Sequence, residues 1–190
     1  LYKLALYIPR TVFYQNADDR RVFIESNLVK KEKTDLLPGS GIDTEEFKPI
    51  NKKFKKRDTI RFLFIGRLLR DKGLVEYVEA SKKLSNSMNV ECSVLGSFYS
   101  QNPSAISEDD MNRWESDGCI NYIGDSNDVK SVMAEYDCIV LPSYREGLSR
   151  VLLETASMAK PIITTNVPGC KDVVEHNFNG LVVDDDEIFI

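Results

Sequence analysis

Short β-rich runs alternate with segments of helical periodicity from residue 59 onwards, and this alternation constrains the fold more than any other feature of the sequence. The run IRFLFIG at 60–66 is almost continuously apolar, as expected for a strand that is covered on both faces. The next segment, 74–84, has one helical face formed by Leu74, Tyr77, Val78, Ser81 and Leu84. This alternation predicts βαβ units and a parallel sheet.

Five further strands and four further helices are predicted along the same stretch. The strands are 90–96, 119–124, 138–143, 161–166 and 180–184. The helices are 107–117, 147–159, 169–176 and one within DSNDVKSVMAEYD (125–137), which Asp125, Ser126 or Asn127 can cap. The predicted fold class is therefore α/β: a six-stranded, doubly wound, Rossmann-like parallel sheet over residues 59–190.

Residues 1–49 have a different pattern and are interpreted as the tail of a preceding domain. Their elements are the end of a helix, a strand in TVFYQ (11–15), a helix over about 17–27 capped by Asn16, and a strand in TDLLPG (34–39).

A basic linker is predicted at 50–58, because its KKFKKR lacks apolar periodicity and is more typical of a solvated segment than of a phosphate or membrane patch. The first residue is Leu1 rather than Met, so we expect a piece excised from a longer protein and truncated at its end.

Composition excludes several function classes. A hydrophobic content of 42% with 29% charged residues is typical of a soluble globular protein. The net charge of −5 argues against nucleic acid as a partner. The cysteines form no C-x-x-C pair, so neither a zinc site nor a redox motif is predicted, and reduced cysteines favour the cytoplasm. No run approaches the roughly 20 apolar residues of a membrane span.

A ligand is expected beyond the carboxyl ends of the parallel strands, where the loop GRLLRDKG (66–73) follows the first strand. Gly66, Arg67 and Lys72 of this loop can receive a phosphate or diphosphate at the start of the next helix. An exposed basic turn explains the same residues equally well. NAD is disfavoured, because the loop lacks G-x-G-x-x-G and no acidic residue ends the second strand.

The stretch REGLSRVLLE (145–154) raises a second question, because Glu154 lies in a largely apolar helical segment. Burying its carboxylate without a partner would cost several kcal/mol. Either Arg150, one turn earlier, or a ligand hydroxyl can be that partner, and the pattern alone does not separate the two. Glu146 precedes the predicted helix, where it can act as a cap or belong to an anion site with the N–H groups of Gly147, Leu148 and Ser149.

Three stretches resemble the C-terminal half of a family-four, retaining GT-B glycosyltransferase: FIGRLLRDKG, the run from NYIGDSNDVK to NFNGLVV, and LLPGSGIDTEEFKP. The most specific part is a Glu, seven residues and a second Glu at a strand-to-helix junction. The resemblance implies that Arg67 and Lys72, with Gly66 in the same loop, bind the donor diphosphate. It implies that Glu146 is the catalytic contact to the sugar and that the backbone of Gly147, Leu148 and Ser149 contacts the sugar or phosphate. It further implies that Glu154 binds the ribose and that Ile123 and Gly124 border the base.

The same resemblance implies a function. The chain is expected to be the donor-binding part of a hexosyltransferase-type enzyme that moves sugar from a nucleotide-sugar, favoured as a UDP-sugar, to a glycan or lipid-linked acceptor in bacterial surface polysaccharide synthesis. The reaction is expected to be a front-face displacement without metal or cofactor, on the cytoplasmic side of the membrane with peripheral association of the whole protein. The fragment alone is expected to be inactive. A nucleotide-sugar epimerase and a non-catalytic nucleotide-binding module are the alternatives.

Overall fold

The structure, a computed structural model, describes residues 2–50 and 58–184. Its strands are β1 (Val12–Tyr14), β2 (Thr34–Leu36), β3 (Ile60–Ile65), β4 (Val90–Leu95), β5 (Asn121–Tyr122), β6 (Cys138–Leu141), β7 (Ile162–Thr165) and β8 (Gly180–Val183). Its α-helices are α1 (Tyr2–Ala5), α2 (Ala17–Glu25), α3 (Leu74–Ser85), α4 (Glu108–Ser116), α5 (Val129–Ala134) and α6 (Arg150–Ser157). Short 3-10 helices cover Lys31–Lys33 and Arg70–Lys72.

Six strands form one parallel sheet in the order β5-β4-β3-β6-β7-β8. Chain order runs outwards from β3 in one direction and from β6 in the other, so the sheet reverses between these two strands. In open parallel sheets, ligands bind beyond the carboxyl ends of the strands at such a reversal. The predicted doubly wound, Rossmann-like architecture is confirmed.

The core lies on both faces of this sheet. Phe64 belongs to one buried cluster, whereas its neighbours Leu63 and Ile65 belong to the other. Successive side chains of a strand point to opposite faces, which explains why β3 is apolar almost throughout. Phe47, which precedes the predicted linker, also packs in the second cluster, so the N-terminal segment contributes to the core of the large sheet.

Several helix boundaries agree with those predicted from the sequence, and others differ from them. Helix α4 is capped by Ser107, whose side chain accepts a hydrogen bond from Asp110 N. Helix α5 is capped by Asp128 rather than by Asp125, Ser126 or Asn127, because the carboxylate of Asp128 accepts from Ser131 N. Helix α6 begins at Arg150 rather than at 147, with Ser149 as its cap.

The helix predicted at 169–176 is wrong. The backbone forms consecutive turns over 168–173 in place of the helix, and Gly169, its predicted first residue, has φ +78°. The side chain of Asp172 accepts from Gly169 N at 2.8 Å and stabilises the turn. An ideal Cβ on Gly169 would lie 2.4 Å from Glu146 O, so this turn packs directly on the loop that precedes α6.

The N-terminal segment has its own two-stranded parallel sheet, β1 with β2, next to α2. Asn16 caps α2 as predicted, because its Oδ1 accepts from Asp19 N at 2.7 Å. Residues 51–57, which hold the basic KKFKKR, lie outside the described residues, so the predicted linker stays a prediction. No helix within the described ranges is long and apolar enough to cross a membrane.

The four cysteines provide a direct check of this fold, because all of them are free and buried. Burial raises the pKa of Cys138 to about 12 and that of Cys170 to about 11. Since the thiolate is the reactive form, the folded chain is expected to react with DTNB hardly at all at mildly alkaline pH. All four thiols should react once the chain is unfolded in guanidinium. Rapid reaction of DTNB with the folded chain would contradict the burial of the cysteines.

Candidate functional site

The loops that follow β3 and β6 meet at the reversal point of the sheet. Gly73 ends the β3 loop with φ +73°, and an ideal Cβ on it would lie 2.0 Å from Pro142 O. Tyr144 N and the Ser143 hydroxyl both donate to Asp71 O, at 3.0 and 3.2 Å. The two loops are therefore joined backbone to backbone, and only glycine fits at the crossing.

Lys72 and Glu146 form an ion pair at this junction. Lys72 Nζ lies 2.5 Å from Glu146 Oε1, and their side chains are only 16% and 15% exposed. The residues are 74 positions apart in the sequence, so the fold alone brings them together. The pair puts an ammonium group and a carboxylate in one partly buried place.

Arg67 lies on the rim of the same loop and is exposed. Its guanidinium is stacked over the ring of Tyr99, 5.3 Å from the ring centroid. Behind it, an ideal Cβ on Gly96 would lie 1.8 Å from Gly66 O, so the β3 and β4 loops also approach closely. Arg67 is thus presented by a compact backbone while its charged group faces solvent.

Glu154 is buried in α6 with a side chain that is 10% exposed, and Arg150 Nε donates to its Oε1 at 2.9 Å. The surface pair that the sequence allowed is therefore formed. Arg150 itself is 66% exposed, and such an i,i+4 pair is worth only about 0.2–0.5 kcal/mol. Because Arg150 lies at the surface, the pair does not exclude a ligand hydroxyl as a second partner of Glu154.

The loop from Glu146 to Ser149 is tied to the turn after β7. Glu146 N donates to Pro168 O at 3.1 Å and Ser149 N donates to Gly169 O at 3.0 Å. The expectation of a free N–H on Ser149 is therefore wrong, because this N–H is used and the side chain caps α6. Within residues 2–50 and 58–184, the N–H groups of Gly147 and Leu148 have no acceptor and remain available.

The predicted base site lies at the adjoining strand ends. Ile123 N donates to Val94 O at 3.0 Å, and Gly96 N donates to Gly124 O at 2.8 Å. Gly124 has φ +77°, so the chain turns sharply there. Ile123 and Gly124 are thus fixed beside the β4 loop, on the same edge of the sheet as Lys72.

Sequence reasoning assigned Asn16 only as a helix cap, but the residue also contacts the site. Asn16 Nδ2 lies 2.7 Å from Gly147 O and 3.3 Å from Glu146 O, across 131 and 130 positions of sequence. Asp19 pairs with Arg145, and Asp18 pairs with Lys171 at 2.9 Å. The hydrogen bond from Lys171 lowers the pKa of the Asp18 carboxyl. No local spacing signals such long-range contacts.

The sequence matches the family model of the glycosyl transferases group 1 over residues 43–188. It is 28% identical to the capsular polysaccharide biosynthesis glycosyltransferase CapM of Staphylococcus aureus, over 96% of this chain and 50% of that protein. It is also 28% identical to the UDP-Gal:alpha-D-GlcNAc-diphosphoundecaprenol alpha-1,3-galactosyltransferase of Escherichia coli, over 90% of this chain and 46% of that protein. The chain thus spans about half the length of these relatives.

Among solved structures, HepE of Anabaena in complex with UDP and glucose superposes with a TM-score of 0.80 at 18% identity, covering 98% of this chain and 54% of that one. This likeness concerns the fold, and it places the six-stranded sheet with one half of a GT-B structure. With a family match that spans most of the described residues, the chain belongs to the glycosyl transferases group 1.

Proposed function

We propose that this chain is the donor-binding part of a retaining hexosyltransferase that transfers a hexose or N-acetylhexosamine from a UDP-sugar in bacterial surface polysaccharide synthesis. The observation that carries the proposal is the Lys72–Glu146 pair, a cation and a carboxylate that two loops bring to the reversal point of the sheet. A diphosphate and a sugar attached to it need these two kinds of group side by side.

Lys72 and Arg67 are proposed to bind the donor diphosphate. An ammonium group has three N–H donors, so Lys72 can keep Glu146 and still donate to phosphate oxygens. To reach the phosphate, the guanidinium of Arg67 would turn away from the ring of Tyr99 or bind the phosphate from its present place. Both cations would offset the charge that develops on the leaving diphosphate, so the proposed reaction needs no metal or other cofactor.

Glu146 is proposed as the catalytic contact to the transferred sugar, in a front-face displacement in which the leaving diphosphate helps to deprotonate the acceptor. The available N–H groups of Gly147 and Leu148 would donate to the sugar or phosphate, whereas Ser149 serves the loop and the helix cap. Glu154 would accept from the ribose hydroxyls after Arg150 turns outwards. Ile123 and Gly124 would border the base.

The acceptor is proposed to be a glycan or a lipid-linked sugar, held by parts of the whole enzyme beyond this chain. Support comes from the names of the relatives, one a capsular polysaccharide enzyme and the other acting on a diphosphoundecaprenol acceptor. The proposal includes a cytoplasmic location at the inner face of the membrane, with peripheral association. It also includes that this chain binds donor without transferring sugar by itself.

Calorimetric titration with UDP, GDP and ADP tests the donor site. UDP is expected to bind best, and Glu154→Ala and Arg67→Ala are each expected to weaken it about tenfold, since a hydrogen bond to a charged group is worth about 1.5–3 kcal/mol. The exposed Arg113→Ala serves as the control and should leave the affinity within about twofold. Unchanged UDP affinity in both Glu154→Ala and Arg67→Ala would reject the assignment.

A further inference from the structure

Asn16 connects the N-terminal segment to the loop that carries Glu146. It caps α2 and is only 4% exposed. Its Oδ1 accepts from Asp19 N within α2, while its Nδ2 donates to Gly147 O and Glu146 O and also, at 3.0 Å, to the carboxylate of Asp19. Capping alone requires the oxygen and does not require the amide nitrogen.

The carbonyls that Asn16 binds belong to the two peptide units that set the direction of the Glu146 side chain and of the Leu148 N–H. Gly147 is pressed against the same segment, because an ideal Cβ on it would lie 1.9 Å from Gln15 Oε1. Rotating these carbonyls away from Asn16 would break the partly buried hydrogen bonds from its Nδ2. Its other side is fixed by the hydrogen bond from Glu146 N to Pro168 O.

The contact also borders an open space of suitable size for part of a ligand. A cavity of about 620 Å³ lies between the N-terminal segment and α6, with Asn16, Leu148 and Leu153 among its lining residues. Leu148, next to the loop held by Asn16, lines this cavity, and Glu146 of the ion pair with Lys72 lies on that loop. Displacement of this loop would therefore affect the part of the proposed site that contacts the sugar more than the part that contacts the nucleotide.

We propose that Asn16 is a positioning residue, which holds the Glu146–Gly147 loop in the form that receives the transferred sugar. This inference rests on the proposed function, since it specifies how that site is built. Sugar recognition then depends on a side chain from the N-terminal segment, whereas nucleotide recognition depends on the large sheet alone. Loss of the amide should weaken a UDP-sugar more than UDP.

The first variant is Asn16→Asp, which keeps an oxygen for the cap but places a carboxylate opposite two carbonyl oxygens and the carboxylate of Asp19. Asn16→Ser, which keeps a cap without added charge, is made in parallel so that the result does not depend on one substitution. Asp128→Asn is the matched control, because it makes the reverse exchange at the cap of α5. Each is titrated with UDP and with UDP-glucose, UDP-galactose and their N-acetylhexosamine counterparts.

In both Asn16 variants, affinity for the best-binding UDP-sugar is expected to fall about tenfold while that for UDP stays within about twofold. Amide hydrogen exchange should rise at 145–149 and stay unchanged in β3 and β4. Equal losses for UDP and UDP-sugar, or unchanged exchange at 145–149, would overturn the inference. If the unmodified chain binds no UDP, the proposed function fails, while hydrogen exchange still decides whether Asn16 holds the loop.

Discussion

Replacing Gly73 with alanine is expected to lower the free energy of unfolding by about 3 kcal/mol and the melting temperature by several degrees. The left-handed backbone at this position, φ +73°, costs a residue with a side chain about 1 kcal/mol. The larger part of the loss in stability comes from steric overlap, since the new Cβ would lie 2.0 Å from Pro142 O. This oxygen belongs to the backbone and cannot rotate away. The β3 and β6 loops must separate to relieve it.

Gly118→Ala is the matched control for this prediction, and both are measured by thermal and denaturant unfolding. Gly118 has nearly the same φ, +70°, but a Cβ there would meet nothing within 4 Å. Gly118→Ala should therefore lower the free energy of unfolding only by the cost of the left-handed backbone, about 1 kcal/mol. Equal losses in the two variants would show that the loops do not approach as closely as described. The difference between them measures the contact on which the Lys72–Glu146 geometry depends.

Replacing Lys72 with alanine is expected to reduce UDP affinity about a hundredfold, because a charge-assisted hydrogen bond to the diphosphate is lost in a partly buried place. A second effect acts in the same direction. Glu146, with a side chain that is 15% exposed, would lose its cation and repel the diphosphate. Titration calorimetry measures the affinity, and a thermal melt establishes that the variant is folded.

Lys82→Ala provides the matched control, since Lys82 also pairs with a glutamate, Glu79, at 2.8 Å, but lies on α3 with a side chain that is 38% exposed. Its UDP affinity should not change. Glu146→Gln completes the set: UDP should bind at least as tightly as in the unmodified chain, because a negative charge near the diphosphate has been removed. A folded Lys72→Ala variant with unaltered UDP affinity would refute the assignment of Lys72.

The repeating units of the large sheet were readable from the sequence because their signals are local. The apolar run of β3 and the face formed by Leu74, Tyr77 and Val78 on α3 each reflect contacts that a single element makes with the core. The failure at 169–176 has an equally clear origin. A left-handed glycine and an Asp172 side chain that accepts from Gly169 N turn the chain where its composition still suits a helix.

The family motif indicated which residues to examine in the site, and the tertiary structure decided how they are arranged. Lys72 and Glu146 occur in separate motifs, and neither motif predicts that their charged atoms lie 2.5 Å apart. Packing likewise buries the Glu154 side chain and gives it a protein partner at the surface, Arg150. A carboxylate inside a helix pattern has several possible partners, and only three-dimensional neighbours select one.

By itself, the sequence determined the alternation of strands and helices, the parallel sheet and the set of candidate residues, since each depends on periodicity or on a short motif. Only the tertiary structure decided that the N–H of Ser149 donates to Gly169 O, whereas those of Gly147 and Leu148 have no acceptor among the described residues. It also decided that Asn16 contacts the Glu146 loop from 130 positions away. The physical reason is the same in each case. Hydrogen-bond partners of loops come from distant segments, and their choice depends on backbone approach that no local pattern encodes.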